Sequence, residues 1–156
     1  MQHDRYDNSY LAGILGAART IAVLGASTND RRPSHWIAGF LLGKGYHVYP
    51  VNPLHAGETI LGQRVYASLA DIPEPIDLVD VFRRTEYLEA IVDEVLALSP
   101  RPAAIWTQLG IRDDSAAARA EASGIKVVMN RALVAEYPLV YEALHRPHDH
   151  GPAHAA

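Results

Sequence analysis

Short, largely apolar runs alternate along the chain with longer stretches in which apolar residues recur every three or four positions. Residues 21–24, 46–51, 77–82, 103–107 and 125–129 are the short runs, and the first has no polar alternation at all. That pattern belongs to strands buried on both faces of a parallel sheet. Between them, Trp36, Ile37, Phe40 and Leu41 mark one helical face, and Leu88, Ile91, Val92, Val95 and Leu98 mark another, with Thr85 as its expected N-cap. An alanine-rich helix follows, capped by Asp113 or Asp114 and closed by Ser123-Gly124. Residues 9–19 predict one further helix, ahead of the first strand, through Tyr10, Leu11, Ile14 and Leu15. Residues 57–66 read as a glycine-punctuated excursion, and 68–73 as a short helical turn ended by Pro73.

Strands separated by helices of this length make repeated βαβ units. The predicted fold is therefore α/β, a Rossmann-like five-stranded parallel sheet with helices on both faces. Right-handed crossovers collect the carboxyl ends of the strands on one edge, where ligands of such sheets bind. On that edge the sequence places Gly25-Ala26-Ser27, Asn52-Pro53, Phe82-Arg83-Arg84, Gln108-Leu109-Gly110 and Asn130-Arg131.

The turn after the first strand carries the clearest chemistry. Gly25 permits a tight turn, Ala26 and Ser27 are small, and a helix begins near Ser34, so free N–H groups and a helix N-terminus gather around one point. Such a point favours an anion. Arg31 and Arg32 lie in the same loop, and the expected ligand carries phosphate. A plain tight βα turn is the bland alternative.

Composition narrows the choice of partner. At 156 residues and 49% hydrophobic content the chain suits one domain, expected over 1–145, followed by a mobile His/Pro-rich tail over 146–156. The net charge of −4 argues against nucleic acid and anionic lipid as partners. No cysteine is present, which removes disulfides and thiolate chemistry. The polar start, 1–7, lacks a signal-peptide pattern, and no apolar run approaches the roughly 20 residues of a membrane span, so a cytoplasmic protein is expected. His145, His148, His150 and His154 crowd the tail without fixed geometry, and no metal site is expected. No spacing identifies a catalytic constellation. Ser27, the one candidate nucleophile in the loop, is expected to donate to phosphate instead.

The end of the second strand bears on which phosphate ligand. NAD sites place an acidic residue there to hold the ribose hydroxyls, and a full glycine fingerprint in the first turn. This chain has Val51-Asn52-Pro53 and only Gly25. A neutral Asn tolerates a phosphorylated ribose, as in coenzyme A with its 3′-phosphate; NADP fits the same reasoning.

Taken together, Gly25-Ala26-Ser27, Asn29, Arg32-Pro33-Ser34, the segment 49–53, Asp80-Val81-Phe82-Arg83-Arg84, Trp106 with Gln108-Leu109-Gly110, and the segment 128–131 resemble the small bacterial CoA-binding proteins. These in turn are similar to the CoA-binding domain of the succinyl-CoA synthetase α subunit. The resemblance covers roughly residues 14–133. It implies that the backbone of Gly25, Ala26 and Ser27 holds the pyrophosphate with Arg32 and Ser34 beside it, and that Asn52 and Pro53 flank the adenosine. Val81, Phe82, Arg83, Gln108 and Gly110 would then line the rest of the nucleotide and pantetheine groove. Where such proteins often show Asp-Arg-Cys, this chain has Asn130-Arg131-Ala132, and Glu58 stands where a basic residue would suit the 3′-phosphate.

The function expected is non-catalytic binding of CoA or an acyl-CoA, with a homodimer or an acyl-transfer subunit as possible partners. The alternatives are a CoA-binding component of an acyl-CoA ligase or transferase, and an NAD(P)-dependent oxidoreductase or redox sensor.

Overall fold

The computed structural model describes residues 1–138. Its centre is a five-stranded, all-parallel sheet in the order β2-β1-β5-β6-β7, formed by β1 (Thr20–Leu24), β2 (His47–Val51), β5 (Leu78–Val81), β6 (Ala104–Thr107) and β7 (Lys126–Val128). Every residue of β1, β5 and β6 is buried, as central strands of a sheet covered on both faces require, including the polar Thr20, Asp80 and Thr107. Pro50, which lacks an N–H, sits on the edge strand β2, and its carbonyl accepts the Tyr66 N–H.

Alternate residues of β1 divide the core. Ile21 and Val23 pack with Leu11, Ile14 and Leu15 of α1 (Asn8–Ala17) and with Ile37, Ala38 and Leu41 of α2 (Pro33–Gly43). Ala22 and Leu24 face the other way, toward Leu88, Ile91, Val92 and Val95 of α3 (Leu88–Leu96) and the alanines of α4 (Asp114–Ala122). Helices thus cover both faces. The chain order reverses between β1 and β5, and a crevice opens at the carboxyl ends of strands at such a reversal.

Three local features differ from the sequence reading. The excursion at 57–66 contains an antiparallel hairpin, β3 (Thr59–Ile60) and β4 (Gln63–Arg64), whose two turn residues, Leu61 and Gly62, have φ of 52° and 79°. Two-residue hairpin turns of this hand usually signal themselves through Asn-Gly or Asp-Gly, and Leu-Gly hides the pattern. Thr85 does not cap α3. It opens a short 3-10 turn, and its hydroxyl donates to the Gly110 carbonyl (3.3 Å) and accepts the Arg112 N–H (3.2 Å). A helical stretch over 133–138 follows β7, burying Leu133 and Tyr137, with Tyr137 edge-on to Phe40 at 5.3 Å.

Asp113 is the cap of α4, its carboxylate accepting the Ala116 N–H at 3.1 Å. The expected tail over 146–156 and its histidines lie outside the described residues. Among the described residues no group of three or more His, Cys, Asp or Glu is placed to hold a metal ion, and no helix is long and apolar enough to cross a membrane.

Candidate functional site

Strand β1 ends where the backbone must turn under the start of β2's exit loop, and Gly25 makes that turn. Its φ is +88°, and a Cβ there would stand 2.9 Å from the Phe82 carbonyl oxygen and 3.0 Å from Arg83 Cδ. Only a residue without a side chain lets β1 and β5 end this close together. The Gly25 and Ala26 amides donate to the Val51 carbonyl at 2.9 and 3.2 Å, and the Asn52 side-chain amide donates back to the Ala26 carbonyl at 2.8 Å. Asn52 Oδ1 meanwhile accepts the Leu54 N–H at 2.9 Å, capping a 3-10 turn at Pro53–His55. The N–H groups of Gly25 and Ala26 therefore join two strand ends; at the start of α2 Pro33 has no N–H and the His35 and Trp36 amides donate to the Arg32 carbonyl at 3.1 and 3.3 Å, which leaves Ser27 and Ser34 to line the cleft.

The loop from Ser27 to Arg32 is internally braced. Ser27 Oγ accepts the Asn29 N–H at 3.0 Å, Asn29 Oδ1 accepts the Arg31 N–H at 3.0 Å, and His35 Nδ1 lies 3.0 Å from the Ser27 carbonyl. A carbonyl only accepts, so His35 Nδ1 carries the proton in this contact. Pro33 opens α2 at a position where its missing N–H costs nothing, and no side chain caps the helix, so its positive end is left facing the loop.

These pieces surround an open cleft of about 510 Å³. Eight of the residues named from the sequence meet there: Gly25, Ala26, Ser27, Arg32, Ser34, Asn52, Phe82 and Gln108. Pro33, Leu109, Ile111 and Ala132 complete its wall; the sequence assigned them no lining role. Pro53 and Arg83 lie on a second hollow of about 340 Å³ on the α3 side of the Gly25 turn, where the Arg83 guanidinium stands 4.6 Å from the centre of the Tyr87 ring. Arg84 turns away, pairing with Glu86 at 3.3 Å. Val81 is fully buried in the core, and its carbonyl accepts the Gln108 N–H at 3.2 Å. Gly110 acts as a brace, its N–H donating to Asn130 Oδ1 at 2.7 Å while Asn130 adopts a φ of 59°. Arg131 reaches back to the Asp4 carbonyl and over the Tyr6 ring. Glu58 is 3.0 Å from His55 Nδ1.

One site feature was visible in the sequence but left unread. Asp80 interrupts the apolar run of β5, and in the fold it is fully buried. Gln108 Nε2 donates to its Oδ1 at 2.5 Å, while Oδ2 is the one buried side-chain oxygen without a partner among the described residues. Burial pushes the Asp80 carboxyl up to about 7, against the smaller opposing pull of the Gln108 hydrogen bond. Gln108 Oε1 also accepts the Leu133 N–H at 3.3 Å, so this one side chain in the cleft wall ties β5, β6 and the segment after β7 together.

A family model described as a CoA binding domain matches residues 19–138. The uncharacterized protein YneT of Bacillus subtilis is 34% identical over 117 residues, covering 75% of this chain and 84% of its own. A solved Thermus thermophilus protein, cell-free ID.343, is 40% identical with a TM-score of 0.81, covering 86% of this chain and 99% of that one. An acetyl-coenzyme A synthetase of Ca. Korarchaeum cryptofilum shares the fold at 22% identity and a TM-score of 0.59; the match spans 72% of this chain and 26% of the synthetase.

Proposed function

Because the chain belongs to the CoA-binding domain family, we propose that it binds coenzyme A or an acyl-CoA at the carboxyl edge of its sheet, as a binding module without catalysis of its own. The observation that carries this reading is the pair of hollows on either side of the Gly25 turn, one walled by Ser27, Arg32, Ser34 and Asn52, the other by Pro53, Arg83 and Tyr87. A long ligand with a charged middle can cross such a ridge and occupy both sides. In this reading the pyrophosphate rests near Ser27 and the positive start of α2, where Arg32 supplies countercharge. Adenosine lies toward Pro53 and Arg83, and the pantetheine arm runs past Phe82 and Gln108. Neutral Asn52 at the ribose end favours a phosphorylated ribose over NAD. We place this role in the cytoplasm.

Calorimetry with CoA, acetyl-CoA, NAD and NADP tests the proposal. Binding of CoA or acetyl-CoA in preference to both nicotinamide nucleotides is expected. Preference for NAD or NADP, or no CoA response at millimolar ligand, would overturn it.

The likeness to part of an acetyl-coenzyme A synthetase favours one second reading, in which this chain presents CoA to catalytic groups on another protein. Recovery of an acyl-transfer subunit with the tagged chain, together with CoA-dependent acyl transfer by the pair, would support that reading over a free-standing module.

A further inference from the structure

Next to the main cleft lies a third hollow of about 380 Å³, and Arg32, Pro33, Phe82, Gln108 and Ala132 line both, so the two adjoin across a shared wall. Their other walls differ in kind. Ser27, Ser34 and Asn52 belong only to the first; Trp36, Ile37 and Val134 belong only to the second. The exposed surface of the second hollow is the more apolar of the two, although Asp30, Arg31 and Arg32 are among its lining residues.

Trp36 is the most telling part of this wall. It is 57% exposed, and its ring stacks on Phe40 at 6.0 Å with planes 16° apart, so it presents an apolar face backed by a second ring. Holding a large ring in water forgoes the free energy of burying it, which a ligand lying against it would recover. Ala132, on the shared wall, presents only a methyl group.

We infer that this hollow holds the acyl chain of an acyl-CoA, and that the protein takes a thioester with an extended apolar acyl group in preference to free CoA. The inference rests on the CoA reading above. A ligand with a phosphorylated head and a hydrocarbon tail matches the gradient from Ser27 and Asn52 to Trp36 and Val134. Each methylene laid against Ile37, Val134 and the Trp36 ring leaves water, so affinity rises with chain length until the hollow is filled.

The test is calorimetry on the full chain with CoA, acetyl-CoA, hexanoyl-CoA and decanoyl-CoA, each below its micelle concentration. Decanoyl-CoA is expected to bind about tenfold or more tighter than CoA, and its binding to shift Trp36 emission to the blue, since Trp106 is already fully buried. Trp36→Ala should cut the chain-length gain to about threefold or less while leaving CoA affinity unchanged, because Trp36 lies outside the first cleft. Val134→Trp, which fills the hollow, should do the same; Trp36→Ala stands as the independent check where that variant does not fold. Equal affinity for CoA and decanoyl-CoA would overturn the acyl assignment and leave the CoA reading standing. Failure of every CoA species to bind would overturn both. A fall in sedimentation mass on Trp36→Ala, with chain preference unchanged, would make the hollow an interface between copies and overturn the assignment.

Discussion

The Asn52 side-chain amide donates 2.8 Å to the carbonyl of Ala26, tying the loop after β2 to the loop after β1. Its oxygen accepts from Leu54 N at 2.9 Å, so one neutral side chain is satisfied at both ends. Asn52→Ala leaves a carbonyl and an amide to find water. A loss of about 1–3 kcal/mol in stability is expected by chemical denaturation, with weaker CoA binding. Asn52→Asp keeps the acceptor for Leu54 but sets a carboxylate against the Ala26 carbonyl, and should lower CoA affinity further than it lowers stability. Unchanged affinity in both variants would remove Asn52 from the site.

Gly25→Ala tests the contact between strand ends. The added methyl meets a φ of +88° and the Phe82 carbonyl at 2.9 Å, and backbone at that distance cannot yield cheaply. The strain alone is of order 1–3 kcal/mol, and moving Phe82 distorts the cleft wall as well. Lower denaturation midpoints and lost CoA binding are expected together. Wild-type stability would show that the turn tolerates a side chain.

Arg32→Ala removes the guanidinium from the mouth of the main cleft. A charged hydrogen bond to phosphate is worth about 1.5–3 kcal/mol, so CoA affinity should fall roughly tenfold to a hundredfold. The wild-type protein should lose affinity with added salt more steeply than the variant, since one fewer screened contact is at stake in the variant. Parallel salt dependence would place Arg32 away from the phosphates.

Asp80 makes the fold sensitive to pH. Its native carboxyl titrates near 7, above the 3.8 of an unfolded chain, because burial disfavours the charged form. Between those values the unfolded state has released a proton that the native state still holds, so stability falls as pH rises from about 4 to about 7 and levels off above. At 1.36 kcal/mol per pKa unit a shift of this size is worth on the order of a few kcal/mol. Asp80→Asn should flatten that slope in urea midpoints measured at pH 5, 6, 7 and 8. A slope unchanged by the substitution would trace the pH dependence to other groups.

Much of this molecule is legible in its sequence. Unbroken apolar runs such as 21–24 leave a strand no polar face to show water, which dictates a parallel sheet sandwiched by helices. Glycine after β1 and the Asn-Pro exit from β2 mark the carboxyl edge of the sheet. The hairpin at 59–64 stayed hidden because Leu61 takes a positive φ more often seen at Asn or Gly.

What only the tertiary structure decided is how those edge residues share their hydrogen bonds and hollows. Local sequence names Gly25 and Ala26 as free donors, but the Val51 carbonyl, distant along the chain, claims both amides and leaves Ser27 and Ser34 on the cleft wall. Asp80 and Gln108 are 28 positions apart, and only the pairing of β5 with β6 buries the carboxyl against that amide. Trp36 and Val134, far apart along the chain, wall one hollow. Patterns of burial are local and periodic, so a single chain records them. Partnerships across the sheet depend on strand order, which no stretch of sequence contains by itself.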